Sequence, residues 1–232
     1  HEIHPDTVFH LAAQPLVQRS YDMPLHTFST NVMGTANLLE ACRGFESIKS
    51  VIVVTSDKVY RNTDGGRAFV ESDPLGGGDP YSASKAATEH VAEAWTPLLA
   101  RNKTACVVAR AGNVIGGGDW SEYRLIPDIM RSIRSNEALN IRNPKSVRPW
   151  QHVIEPLAGY IILAEQNSLS DISAVNFGPS LEDCWPVSNL VQAFAECWGN
   201  KLRLEVPIDE GGDLHEAGIL IIDSLYAKQI MG

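Results

Sequence analysis

The sequence predicts an α/β protein, a doubly wound parallel sheet that carries a second, smaller α/β lobe. Three observations predict it. Short apolar runs alternate with segments of helical periodicity through Arg110, which is the pattern of a parallel sheet wrapped by helices. Each run ends in small or polar residues, at the strand ends where such sheets bind ligands. The alternation stops at Gly116-Gly-Gly-Asp119 and a differently organised segment follows.

Thr7-Val-Phe-His-Leu-Ala-Ala13 reads as the first buried strand. Apolar residues recur at helical spacing from Leu25 to Cys42, so a helix is expected there. Val51-Ile-Val-Val-Thr55 is a second strand, apolar throughout as a strand covered on both faces must be. Arg61 to Pro80 is a loop rich in Gly, Asp and Pro, and Tyr81 to Ala100 is a helix with Pro97 near its end. Thr104 to Arg110 gives the third strand. Beyond Asp119 the pattern predicts helices at Leu125–Arg134, Glu155–Gln166 and Val187–Trp198, with a strand at Ala174–Phe177. The division expected is a sheet domain from residues 1–115 and 150–180, and a lobe from 116–149 and 181–232. No GxGxxG or GxxGxxG stands between a strand and a helix. A doubly wound sheet would place that turn before residue 1, in roughly 60–70 residues at ~20–30 for each strand–helix unit.

With 232 residues, the chain can form one large domain or two small ones. A net charge of −9 and the lack of a Lys/Arg run argue against a nucleic-acid partner. The longest apolar runs are too short to span a bilayer, so no membrane partner is expected. Four cysteines without CxxC spacing read as reduced thiols in a cytoplasmic enzyme. Seven histidines without HxH or HExxH spacing predict no metal site.

The chemistry is concentrated at Tyr81-Ser-Ala-Ser-Lys85. Residues four apart share a helix face, so phenol and ammonium can meet one ligand. A nearby ammonium stabilises a phenolate, and the expectation is a lowered Tyr81 pKa. Ser56, Asp57 and Lys58 follow the second strand, and Gln14 and Asn113 follow the first and third. Arg124, Arg142 and Arg148 are spread through the lobe, and a guanidinium fork suits phosphate oxygens.

Several stretches carry a resemblance. His10-Leu-Ala-Ala13, Ser29-Thr-Asn-Val-Met-Gly-Thr35, Thr55-Ser-Asp-Lys-Val-Tyr60, Tyr81 to Lys85 and Arg110-Ala-Gly-Asn-Val-Ile-Gly116 resemble the extended short-chain dehydrogenase/reductase family and, within it, the nucleotide-sugar 4,6-dehydratases. Gly117-Gly-Asp-Trp120, Arg124-Leu-Ile-Pro127, Ile141-Arg-Asn-Pro144 and Arg148-Pro-Trp-Gln-His152 resemble the CDP-glucose branch. The resemblance implies an NAD(P)-binding Rossmann fold without its Gly-rich first units, and NAD as cofactor. It implies that Tyr81 and Lys85 act with Ser56, Asp57 and Lys58 in catalysis. Tyr81 would deprotonate the C4 hydroxyl, Ser56 would bind the C4 oxygen and Asp57 would protonate the leaving C6 hydroxyl. Lys58 stands where many relatives carry Glu, which leaves the C5 base open. Leu11, Ala12, Ala13, Thr30, Thr55, Tyr81 and Lys85 would contact the cofactor. Gln14, Asn113, Arg124, Leu125, Ile126, Arg142, Arg148 and His215 would contact the nucleotide sugar, and Asn31 would support the site through the backbone. It also implies a homo-oligomer, dimer or tetramer, in the full-length form. Two alternatives stand beside a CDP-glucose 4,6-dehydratase: an inactive fragment, or an epimerase or dehydratase of another nucleotide sugar. An acidic residue at position 57 disfavours the epimerase.

Overall fold

The computed structural model describes residues 3–166, 169–199, 204–205 and 218–231. In chain order the first half contains β1 (Thr7–His10), α1 (Val17–Asp22), α2 (Pro24–Phe28), α3 (Gly34–Cys42), β2 (Ser50–Val54), α4 (Pro80–Leu99) and β3 (Ala105–Ala111). The second half contains β4 (Val114–Ile115), α5 (Leu125–Ser135), β5 (Leu139–Asn140), β6 (Val147–Pro149), β7 (Gln151–His152), α6 (Ile154–Ala164), β8 (Ala174–Phe177), β9 (Cys184–Pro186), α7 (Val187–Cys197), β10 (Leu204–Glu205) and α8 (Leu225–Met231). No helix among the described residues is long and apolar enough to cross a membrane.

The main sheet is parallel, in the order β1-β2-β3-β8. Side chains alternate across a strand, and here both sides meet apolar partners. Val51 and Val53 of β2, with Cys106 and Val108 of β3, pack against Leu39 and Cys42 of α3 and Ala92 and Leu99 of α4. Ile52, Val107 and Ala109 face the other way, onto Tyr160 and Leu163 of α6 and Ala227 of α8. Two-sided burial explains why these strands read as continuous apolar runs.

Three differences from the sequence reading have physical causes. The first strand stops at His10 rather than Ala13, because its ladder pairs His10 with Val53 and β2 ends one residue later. The helix expected from Leu25 to Cys42 is broken by a π-helical turn at Ser29–Met33. Within that turn the Asn31 carbonyl accepts hydroxyl hydrogen bonds from Thr35 at 2.6 Å and Thr88 at 3.0 Å, partners outside the regular helix ladder. The assignment of residues 181–232 to the lobe fails at its end. The helix α8 returns to the sheet domain, where Ala227, Tyr226, Ile230 and Met231 join the core beneath β8.

The lobe has its own small core, Ile129 of α5, Leu139 of β5, Ile141 and Val191 of α7. α4 opens with Pro80 at its first position and with Asp79 as cap, whose carboxylate accepts from the Ser82 amide at 2.9 Å. That start fixes where Tyr81 emerges.

Candidate active site

A cavity of about 380 Å³ lies between the carboxyl ends of the strands and the lobe. Ser56, Asp57, Lys58 and Tyr81 line it on the sheet side. Asn113, Arg124, Leu125, Ile126, Arg142 and Arg148 line it on the lobe side, and Leu11 and Thr55 reach its wall. One space therefore gathers most of the residues singled out from sequence.

Asp57 is almost fully buried. Its Oδ1 accepts from the Ser56 hydroxyl at 3.1 Å and lies 3.4 Å from the Lys58 ammonium. Its Oδ2 has no protein partner. A buried polar atom left bare is rare in a folded protein, and here it stands in the wall of a ligand-sized cavity. Gly112 passes just behind it. A Cβ at that position would lie 2.5 Å from Pro149 Cγ and 3.3 Å from Asp57 Oδ2, so only glycine fits. The glycine next to Asn113 was the available sequence signal for this contact.

Tyr81 does not behave as the sequence reading expects. Its phenol is pushed up to about 12, chiefly by burial, with the Asp57 and Asp79 charges adding to the rise. A hydrogen bond from Ser56 and the charge of Arg124 act in the opposite direction. Lys85, on the same helix, donates to the Val54 carbonyl at 3.1 Å. Burial brings its ammonium down to about 8, against the pull of Glu89. His10 also lies in Lys85's field, with its pKa lowered by burial and by that charge.

The Lys85 shift has a measurable sign. Between pH 8 and pH 10.5 the unfolded chain holds the Lys85 proton and the folded chain has lost it, so stability rises with pH across that window. Below it the fold carries the full cost of a buried ammonium. Lys85→Met is expected to raise unfolding free energy at pH 7 by about 1–3 kcal/mol. The gain should shrink towards pH 10.5, as read by urea denaturation at several pH values. An unchanged or lowered stability at pH 7 would show that the charge is not a burden.

Glu89 was not singled out from sequence, yet it organises this side of the site. Its carboxylate accepts from the Thr55 hydroxyl at 2.7 Å and pairs with Arg110 at 2.5 Å. Arg110 also donates to the Tyr60 hydroxyl at 2.8 Å, and Tyr60 donates to Asn176 at 2.6 Å. The signal was present, since Arg110 is a charge at the end of an apolar strand and Glu89 lies one turn after Lys85 on α4.

Gln14 lies outside the cavity wall, and its amide is bonded locally: Nε2 donates to Thr27 Oγ1 at 2.8 Å and to the Leu16 carbonyl, while Oε1 accepts from the Leu16 amide. These bonds shape the turn after β1. Asn31 does hold backbone: its Oδ1 accepts from the Gln14 amide at 2.7 Å, and its Nδ2 donates to the Gln14 carbonyl and, at 2.8 Å, to Ser84 Oγ on α4. Ala12, Ala13 and Thr30 lie outside the cavity wall, Ala12 exposed and the other two half-buried. Arg148 is buried, and its Nη1 donates to the Val147 carbonyl at 2.9 Å. Arg142 stacks over Tyr123, 5.6 Å from the ring centre. His215 lies outside the described residues. Among the described residues no three His, Cys, Asp or Glu side chains gather into a metal site.

Known proteins resemble this chain. The chain is 43% identical over its whole length to CDP-glucose 4,6-dehydratase of Salmonella typhimurium, and spans 66% of that protein. It is 26% identical to dTDP-D-glucose 4,6-dehydratase of Dictyostelium discoideum over 80% of the chain, which is 43% of that protein. The chain therefore spans less than two thirds of each of these relatives. Among solved structures, MoeE5 in complex with UDP-glucuronic acid and NAD superimposes with a TM-score of 0.84 at 25% identity, over 98% of this chain and 73% of that one. The dTDP-glucose 4,6-dehydratase DesIV of Streptomyces venezuelae superimposes with a TM-score of 0.82 at 24% identity, over 98% and 67% of the two chains. The family model for GDP-mannose 4,6 dehydratase matches residues 1–205, and on that match, with the sheet and the Tyr81 and Ser56–Lys58 site already in view, the chain belongs to that dehydratase family.

Proposed function

We propose that this protein acts as an NAD-dependent nucleotide-sugar 4,6-dehydratase whose substrate is CDP-glucose. The observation that carries the reading is the cavity itself. It sets a proton-handling group of Ser56, Asp57, Lys58 and Tyr81 on one wall against the guanidinium side chains of Arg124, Arg142 and Arg148 on the other. A sugar joined to a diphosphate needs both ends. The 43% identity to the Salmonella CDP-glucose 4,6-dehydratase supports the choice of nucleotide.

The residues present fit the nicotinamide end of the cofactor. Leu11 is exposed at the cavity edge beside the small Ala12 and Ala13, and Thr55 and Lys85 lie at the neighbouring strand end. These residues, with Thr30 and Tyr81, would hold it. When bound, NAD supplies the hydride acceptor for C4, the donor for C6 and a positive charge beside the phenol.

The chain's own groups then divide the proton work. Tyr81 takes the proton of the C4 hydroxyl. Ser56 helps by hydrogen-bonding the phenol, which favours its ionised form, and Arg124 adds its charge. Asp57 is held at Oδ1 by Ser56 and Lys58, so its bare Oδ2 is the atom free to serve the departing C6 hydroxyl. Arg124, Arg142 and Arg148 bind the diphosphate and fix the sugar against the sheet.

The test is incubation of the protein with saturating NAD and CDP-glucose, with the 4-keto product read by its absorbance in strong base. Product formation is the expected result. Product from dTDP-glucose and none from CDP-glucose would reassign the nucleotide, and no product from either would overturn the reading.

A further inference from the structure

Tyr123 is a bulky residue held at φ +60°, in the left-handed region where such side chains are outliers. Its loop is pinned along its length. Asp119 Oδ1 accepts from the Ser121 amide at 2.9 Å, and Arg131 donates to the Trp120 and Ser121 carbonyls at 2.9 and 3.0 Å. The Tyr123 carbonyl accepts from Arg142 Nη2 at 3.3 Å.

Packing does not account for this arrangement, because the ring is not buried. It stands 53% exposed, in the wall of the main cavity. The Arg142 guanidinium lies over the ring at 5.6 Å from its centre. Trp120 makes a similar pair with Arg134 and is equally exposed, but it is not part of the cavity wall. Strain that presents an aromatic face inside a ligand cavity points to a ligand with a flat ring.

Position agrees with that. Arg124 is the next residue, and its charge reaches Tyr81 at the sugar end. Tyr81, Arg124 and Tyr123 line the same cavity, which thereby holds a proton acceptor, a phosphate-binding cation and an aromatic ring. A nucleotide sugar has a part for each: sugar, diphosphate, base.

We propose that Tyr123 is a specificity-determining residue that stacks the nucleobase of a nucleoside diphosphate, with Arg142 backing the ring. This deepens the nucleotide-sugar reading and rests on it.

The experiment is calorimetric titration of CDP, and separately of inorganic pyrophosphate, into the wild type, Tyr123→Phe and Tyr123→Asn. Asn tolerates a positive φ, so Tyr123→Asn removes the ring and keeps the turn; its thermal midpoint should equal or exceed that of the wild type. The expected result is CDP binding weakened roughly 5- to 100-fold in Tyr123→Asn, and nearly unchanged in Tyr123→Phe. Pyrophosphate binding should be the same in all three. CDP affinity in Tyr123→Asn equal to the wild type would overturn the stacking role, as would equal weakening of CDP and pyrophosphate. A wild type that binds no CDP would overturn the nucleotide-sugar reading, and this inference with it.

Discussion

Tyr81→Phe is expected to lower turnover of CDP-glucose by about 10²- to 10⁴-fold, the usual worth of a positioned acid or base. Substrate binding and stability should change little. The ring is buried and Phe retains it, while the Tyr81 backbone amide still donates to the Ser20 hydroxyl at 3.1 Å. The arginines on the opposite wall are untouched. The measurement is initial rate by 4-keto absorbance, alongside the thermal midpoint. Turnover within about threefold of the wild type would remove Tyr81 from the role of base and leave the Asp57 side to carry the proton chemistry alone. The elevated phenol pKa adds a second expectation to the same experiment. In the free protein Tyr81 is almost wholly protonated at neutral pH, so the deprotonating environment must be completed on binding.

The second large effect concerns stability. Arg110→Met is expected to cost about 3–5 kcal/mol, because it leaves the Glu89 carboxylate buried without its counter-charge. Thr55 alone would remain as a donor to it. Replacing both partners, Arg110→Met with Glu89→Leu, should recover most of the loss, since an apolar pair of similar volume removes the stranded charge. Urea denaturation of the two single variants and the double variant gives the coupling directly. A single Arg110→Met variant within about 1 kcal/mol of the wild type would show that solvent or rearrangement satisfies Glu89, contrary to its burial.

The parts of the molecule that sequence made legible are those decided locally. Val51 to Val54 could be read as a strand covered on both sides because four consecutive apolar residues leave no wet face. Ser56 to Lys58 and Tyr81 were legible because strand ends and helix starts are where such a sheet exposes polar atoms. What was not legible depends on partners elsewhere in the chain. The turn after β1 is closed by bonds from Gln14 to Thr27 and to Asn31, seventeen residues away. At the π-helical turn the Asn31 carbonyl accepts from the neighbouring Thr35 and from Thr88, and the Thr88 hydroxyl is one that only the folded packing brings there. The Lys85 and Tyr81 pKa values depend on burial, which periodicity does not report. The return of α8 to the sheet is set by Ala227 and Tyr226 meeting a core built mostly from residues before 178.

Asn31 has a further consequence. By binding both backbone polar atoms of Gln14 together with Ser84, and offering its carbonyl to Thr88, it fastens the turn after β1 to the helix that carries Tyr81 and Lys85. These pieces belong to one buried polar cluster, so a shift of any one of them is coupled to the others. The lobe has a separate and smaller core, and cooperative units of a protein open in order of how much they bury. Opening of the cleft is therefore expected on the lobe side, with the sheet wall as the anvil, and amide hydrogen exchange faster in α5 than in α4 is the corresponding measurement.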